Sequence, residues 1–149
     1  MRHCVAGFRA QTAGARRLHN ALVIFVFYSV MVDSVVPADI LGVQVTEHGA
    51  DTRIIAVTGE LDALTAPVLA TVLTEMLVTA RVVVVDLDGV QYLASVGLRA
   101  LIQAKHLAAE HDSELQLVCH SPSVNLVFDA SGLREHFIFA DSVALALGQ

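Results

Sequence analysis

The apolar positions of this chain change their period several times, and each change predicts an element. Val43, Val45 and Glu47 alternate with Gln44 and Thr46, the period-two pattern of a half-buried edge strand. His48-Gly49-Ala50-Asp51 has the composition of a turn. Residues 53–58 form a second β-rich run, so the two predict a hairpin, closed off by Gly59-Glu60-Leu61-Asp62. The period then turns helical. Leu69, Val72, Leu73, Met76 and Leu77 recur at i, i+3, i+4, i+7 and i+8, a single stripe that faces a core. Thr65 stands at the expected N-cap, and Pro67 falls in the first turn, where a missing N–H costs little.

Val82-Val83-Val84-Val85 is an unbroken β-branched run ending on Asp86, the pattern of a central strand. Strand, helix, strand then implies a right-handed crossover. Residues 86–90 read as a connection that carries the chain to Ser95, the predicted N-cap of a second long helix. That helix buries Gly97, Leu101, Ala104 and Ala108, exposes Arg99, Gln103 and Lys105, and ends at Asp112-Ser113. Residues 115–119 predict another strand. Ser121-Pro122 reads as an N-cap followed by Pro at the first helical position, and Gly132 as the left-handed residue past the end of a helix over 122–131, with Leu133 its apolar contact. Residues 137–139 predict a short last strand, and Asp141 caps a terminal helix rich in Ala and Leu. The sum is a single α/β domain over residues 39–149: a small mixed sheet of four to five strands with helices mainly on one face.

Charge divides the chain differently. It holds 9 Lys+Arg and 15 Asp+Glu, yet Arg2, Arg9, Arg16 and Arg17 lie in a first stretch of twenty residues that has no acid. The remainder sets five cations against all fifteen acids, a net of −10. So acidic a body is a poor nucleic-acid binder and favours a basic protein partner or none, with weak self-association as a further expectation. Residues 1–38 read as an N-terminal extension. Its apolar run, 21–32, is about 12 residues, too short for the ~20 of a spanning helix, so no membrane insertion is expected. The charge-then-apolar order is that of a secretory signal, but no Ala-x-Ala site follows. A peripheral anchor and translation from Met31 are the other readings, the last leaving residues 1–30 outside the native protein. Cys4 and Cys119 make no disulfide framework, and Cys119 reads as a small buried hydrophobe in a reducing cytoplasm.

Catalytic chemistry is hard to find. There is no Gly-rich loop with Lys to hold phosphates, and Ser95-Val96-Gly97 lacks the Gly two residues before the Ser that a nucleophile elbow needs. No spacing ties His120 or His136 to Ser95. His106 and Glu110 share a helix face without a third ligand nearby, and Asp86 and Asp88 read as turn acids. No enzyme, metal or cofactor is expected. Two sites remain, Ser95 and the segment Glu60-Leu61-Asp62, and they share one rim if their strands are neighbours.

Three segments then resemble a known family: Val57-Thr58-Gly59-Glu60-Leu61-Asp62, the run 84–98, and Phe128-Asp129-Ala130-Ser131-Gly132-Leu133. In order and spacing they are similar to the STAS domain of bacterial anti-anti-sigma factors, over residues 41–147. The resemblance implies a mixed sheet with helices on one side. It also implies binding of an anti-sigma factor that is a serine kinase, which frees a sigma factor until the kinase phosphorylates a Ser in Asp-Ser-[Ser/Thr]-Gly-[Leu/Val]. Here that motif is Ala94-Ser95-Val96-Gly97-Leu98, with the acceptor kept and the Asp and second hydroxyl replaced. The implied phosphoacceptor is Ser95, and the implied contact residues are Glu60, Asp62, Ala94, Ser95, Val96, Gly97, Leu98 and Arg99. Two other readings stand beside this. One is an unphosphorylated STAS adaptor, such as the subunit of an ABC lipid transporter or a ligand-binding module, in which Ser95 is only a helix cap and Asp62 only a turn acid. The other is a Ser-dependent enzyme.

Overall fold

The computed structural model describes residues 40–148. The basic first stretch, Cys4, the apolar run 21–32 and Met31 lie outside them. Strand β1 (Leu41–His48) turns into β2 (Thr52–Leu61), and helix α1 (Ala66–Thr79) leads to β3 (Val82–Leu93). Helix α2 (Ser95–Glu110), β4 (Glu114–Val118), α3 (Pro122–Ser131), a 3₁₀ turn (Arg134–His136), β5 (Ile138–Phe139) and a short α4 (Val143–Ala146) complete the chain. The sheet order is β1-β2-β3-β4-β5, with β1 antiparallel to β2 and every later pair parallel. Each crossover steps the same way across the sheet. Right-handed connections therefore place α1, α2 and α3 on a single face.

The core lies between that face and those helices. Ile55 and Val57, Val83, Val85 and Leu87, and Leu115 and Leu117 interleave with Leu69, Leu73 and Leu77, with Leu101, Ala104 and Ala108, and with Val124 and Phe128. Val84 and Val118 alternate away from this cluster and are buried nonetheless. Phe128 is fully buried and meets Phe137 and Phe139 edge-to-face at 5.6 and 5.1 Å. No helix among the described residues is long and apolar enough to cross a membrane.

Two elements outrun their predicted ends. Strand β2 continues through Gly59-Glu60-Leu61, which was expected to close the hairpin. Gly59 holds φ +98, and a Cβ there would lie 2.1 Å from the Ile40 carbonyl oxygen, so only glycine lets β1 and β2 meet at this point. Strand β3 runs on to Leu93, through residues 86–90 that were expected to be a connection. It carries two bulges. Two steps along β2 from Ala56 to Thr58 face three steps along β3 from Asp86 to Gly89, and one step from Gly59 to Glu60 faces two from Val90 to Tyr92. Each bulge resets the alternation. Leu87, Val90 and Leu93 thus all reach the core at a spacing of three, which no period-two search detects.

Pairing of β3 with β4 ends at Asp86 and Val118. Beyond it, side chains from the start of α3 take over. Ser121 Oγ donates to Val90 O and Ser123 Oγ to Gln91 O, each at 3.0 Å. The Asp88 carboxylate accepts the His120 backbone N–H at 2.6 Å and faces its ring Nδ1 at 3.0 Å. Asp88 and His120, expected to be a solvated turn acid and a scattered His, are the stitches of this bulge, which satisfies backbone groups that lack a neighbouring strand. At the last helix, Ser142 rather than Asp141 is the cap: its Oγ accepts from Leu145 N–H at 3.1 Å.

Two outcomes follow. Phe128→Ala should cost about 3–5 kcal/mol in urea unfolding, while Leu126→Ala on the same helix, 67% exposed, should stay within about 0.5 kcal/mol. The second concerns pH. Asp88 raises the His120 pKa above its ordinary 6.5, first through the side-chain hydrogen bond and then through its charge. The stabilisation is fully present below pH 6.5 and lost as pH rises through the raised value. The wild-type midpoint should fall across that window relative to His120→Ala, which should show a flatter profile in urea titrations from pH 5.5 to 8.5.

Candidate functional site

The two sites singled out from the sequence are joined. In the β2–β3 register Glu60 faces Tyr92 and Leu61 faces Leu93. One step further the Ala94 N–H donates to Leu61 O at 2.8 Å. Glu60-Leu61-Asp62 and the start of α2 therefore form one rim at the C-terminal ends of β2 and β3. Gly97 seats the helix there: a Cβ at 97 would lie 2.7 Å from Leu93 Cδ1, 3.0 Å from Leu61 Cβ and 3.3 Å from Leu61 O. Gly97 and Leu98 are buried. They hold the rim in place, and the surface of this turn is made by Ser95, Val96 and Arg99.

Ser95 is not the N-cap. Ala94 takes that position, with φ −81 and ψ 164, and Ser95 is the first helical residue. The Asp of the family pattern, had it been kept, would thus occupy the cap. A methyl group accepts no hydrogen bond, and the first turn holds no acid. The Ser95 side chain is exposed and makes no hydrogen bond among the described residues.

Asp62 is half-committed. Its Oδ1 accepts the N–H groups of Leu64 at 2.9 Å and Thr65 at 3.0 Å. Those bonds, Thr65's first, hold the carboxyl below its ordinary 3.8. Thr65 occupies the N-cap of α1 but does not cap it. Its hydroxyl, fully buried, turns back to donate to Glu60 O at 2.7 Å and to accept from Asp62 N–H at 2.9 Å. The loop from β2 into α1 is therefore closed by its own hydrogen bonds, and the second oxygen of Asp62 makes none among the described residues.

Three large apolar side chains stand exposed on this rim: Leu64 at 55%, Tyr92 at 55% and Val96 at 40%. Leu64 and Tyr92 escaped the sequence analysis. The available signal was a Leu inside a turn otherwise made of small and polar residues, between Asp62 and Thr65. Among the described residues no three His, Cys, Asp or Glu side chains gather as a metal site, and His120 is engaged with Asp88 rather than with Ser95.

A family model described as the STAS domain matches residues 43–146. The anti-sigma-B factor antagonist of Staphylococcus aureus (strain NCTC 8325 / PS 47) is 33% identical over 82 residues, 54% of this chain and 76% of that protein. Among solved structures, an anti-sigma factor antagonist from Mycobacterium paratuberculosis superposes with a TM-score of 0.67 at 25% identity, over 75% of this chain and 95% of that one. The unphosphorylated form of the anti-sigma factor antagonist SpoIIAA shares the fold, with a TM-score of 0.62 at 18% identity over 71% of this chain and 93% of its own. The chain belongs to the STAS domain family.

Proposed function

We propose that this protein is an anti-sigma factor antagonist whose rim docks a serine-kinase anti-sigma factor, and that phosphorylation of Ser95 ends the docking. It is a binding module of the cytoplasm, not an enzyme. One observation carries the reading: on a STAS fold, an exposed Ser with an uncommitted hydroxyl lies at the first position of α2, on the rim that also exposes Leu64, Tyr92 and Val96. The names of the relatives support the partner class.

The switch follows from position. A phosphoserine brings about −1.5 to −2 charges at neutral pH. At a helix start the free N–H groups and the dipole favour that charge, so the fold survives it. A partner packed on the apolar rim does not: it would have to bury a hydrated dianion. A loss of about 2–4 kcal/mol weakens binding by roughly 30- to 1,000-fold. The alternative, docking without a phosphate switch, is favoured by Ala94, which removes the carboxylate that precedes the acceptor in the family pattern.

The test uses the anti-sigma factor with Mg-ATP. Mass spectrometry should find phosphate on Ser95, Ser95→Ala should bind as the wild type does, and Ser95→Asp should bind at least tenfold more weakly. Docking with Ser95 unmodified after prolonged incubation would leave the adaptor reading. Equal binding by both variants would remove Ser95 from the interface.

A further inference from the structure

Residues 40–148 contain thirteen acids and five cations. Four of the cations are engaged or distant from the rim. Arg53 pairs with Glu47 at 3.5 Å, and Arg134 lies 3.6 Å from Asp129 and 4.5 Å above the Phe139 ring. Lys105 sits 5.9 Å from the Phe137 ring centre, and Arg81 precedes β3 at the opposite end of the sheet. Arg99 is exposed, and it has no ion pair or hydrogen bond among the described residues. It stands four residues after Ser95 on the same helix, and residues so spaced share one face. Helical side chains lean toward the N-terminus, which puts the turn where Ser95 is exposed within reach of the guanidinium.

We infer that Arg99 is the specificity residue that couples the two states of the rim: it pairs with an acidic group of the partner when Ser95 is free, and with the phosphate when Ser95 is modified. This rests on the phospho-switch reading of Ser95. Transfer of the γ-phosphoryl group of ATP forms the Oγ–P bond, breaks the Pγ–O bond to ADP and releases the hydroxyl proton. The product is a tetrahedral phosphate whose oxygens accept from the planar fork of a guanidinium one turn away. Modification then acts twice on the same partner. It adds an anion to the rim, and it withdraws the rim's uncommitted cation. A rim bearing Glu60 and Asp62 has no second cation among the described residues to replace it.

The first arm of the test needs no partner. Phosphoserine is incorporated at position 95 during translation and the phosphate is titrated by ³¹P NMR. Its second ionisation, ordinarily near pH 6, should rise by about 0.15–0.4 pH unit in Arg99→Ala and by less in Arg99→Lys. Both positions are exposed, so the fold is not at risk. An unchanged titration in Arg99→Ala overturns the pairing. The second arm measures the anti-sigma factor against wild type, Ser95→Asp, Arg99→Ala and the double variant. The Ser95→Asp penalty should shrink at least threefold in the Arg99→Ala background, and additive penalties overturn the partner half of the proposal. If no anti-sigma factor binds at all, the proposed function fails while the ³¹P titration still decides the pairing.

Discussion

The rim depends on how closely the first turn of α2 approaches the end of β2. Gly97 brings the helix backbone against Leu61, the Ala94 N–H reaches Leu61 O at 2.8 Å, and Leu98 is drawn into the core beside them. A helix start fixed to a strand end in this way has little freedom to shift. Whatever the exposed residues of that turn present, they present from a rigid base. The closed loop of Asp62 and Thr65 does the same for the neighbouring start of α1. Binding energy at such a surface is not spent on ordering it.

That rigidity is what the proposed switch requires: a change at one exposed atom leaves the fold beneath it intact. Ser95 contributes nothing visible to the packing beneath it: its hydroxyl has no partner among the described residues. Modification there alters the surface without breaking a core contact. The bulged end of β3 is insulated in another way, by the Asp88, His120, Ser121 and Ser123 bonds that fasten it to α3. These stitches replace a strand neighbour, so the edge nearest the rim does not fray into it.

The fold was legible in the sequence wherever one period held over a whole element. The stripe from Leu69 to Leu77, the Pro122 start of α3 and the left-handed Gly132 at its end, φ +71, all stand where local chemistry predicts them. Legibility stopped where two elements had to meet. The bulges of β3 are properties of its pairing with β2, and no single-strand pattern reports them. Ser95 as a cap was the natural reading of a Ser before an apolar stripe. The true boundary lies one residue earlier, because Ala94 is held by Leu61, a residue more than thirty positions away in sequence. Thr65 stands at the N-cap as expected, but its hydroxyl is claimed by Glu60 O instead of the first turn of α1. Of the candidate site, the segments were visible and their union was conditional on strand order. Of the exposed apolar residues Val96 was named and Leu64 and Tyr92 were not, since Tyr92 looks like a strand residue until its partner on β2 is known.

Ala94 changes the meaning of the site rather than merely weakening its likeness to the family pattern. A carboxylate at that cap would satisfy the first-turn N–H groups of α2 and would sit one residue from an arriving phosphate. Its replacement by a methyl leaves those N–H groups without a side-chain acceptor and removes the like charge. A phosphate on Ser95 would then act as the missing anion at a helix start that has none. In this chain the modified turn would therefore gain an acceptor that the unmodified one lacks. On the proposed switch, release of a partner would then be driven by charge on an unchanged base and not by unfolding.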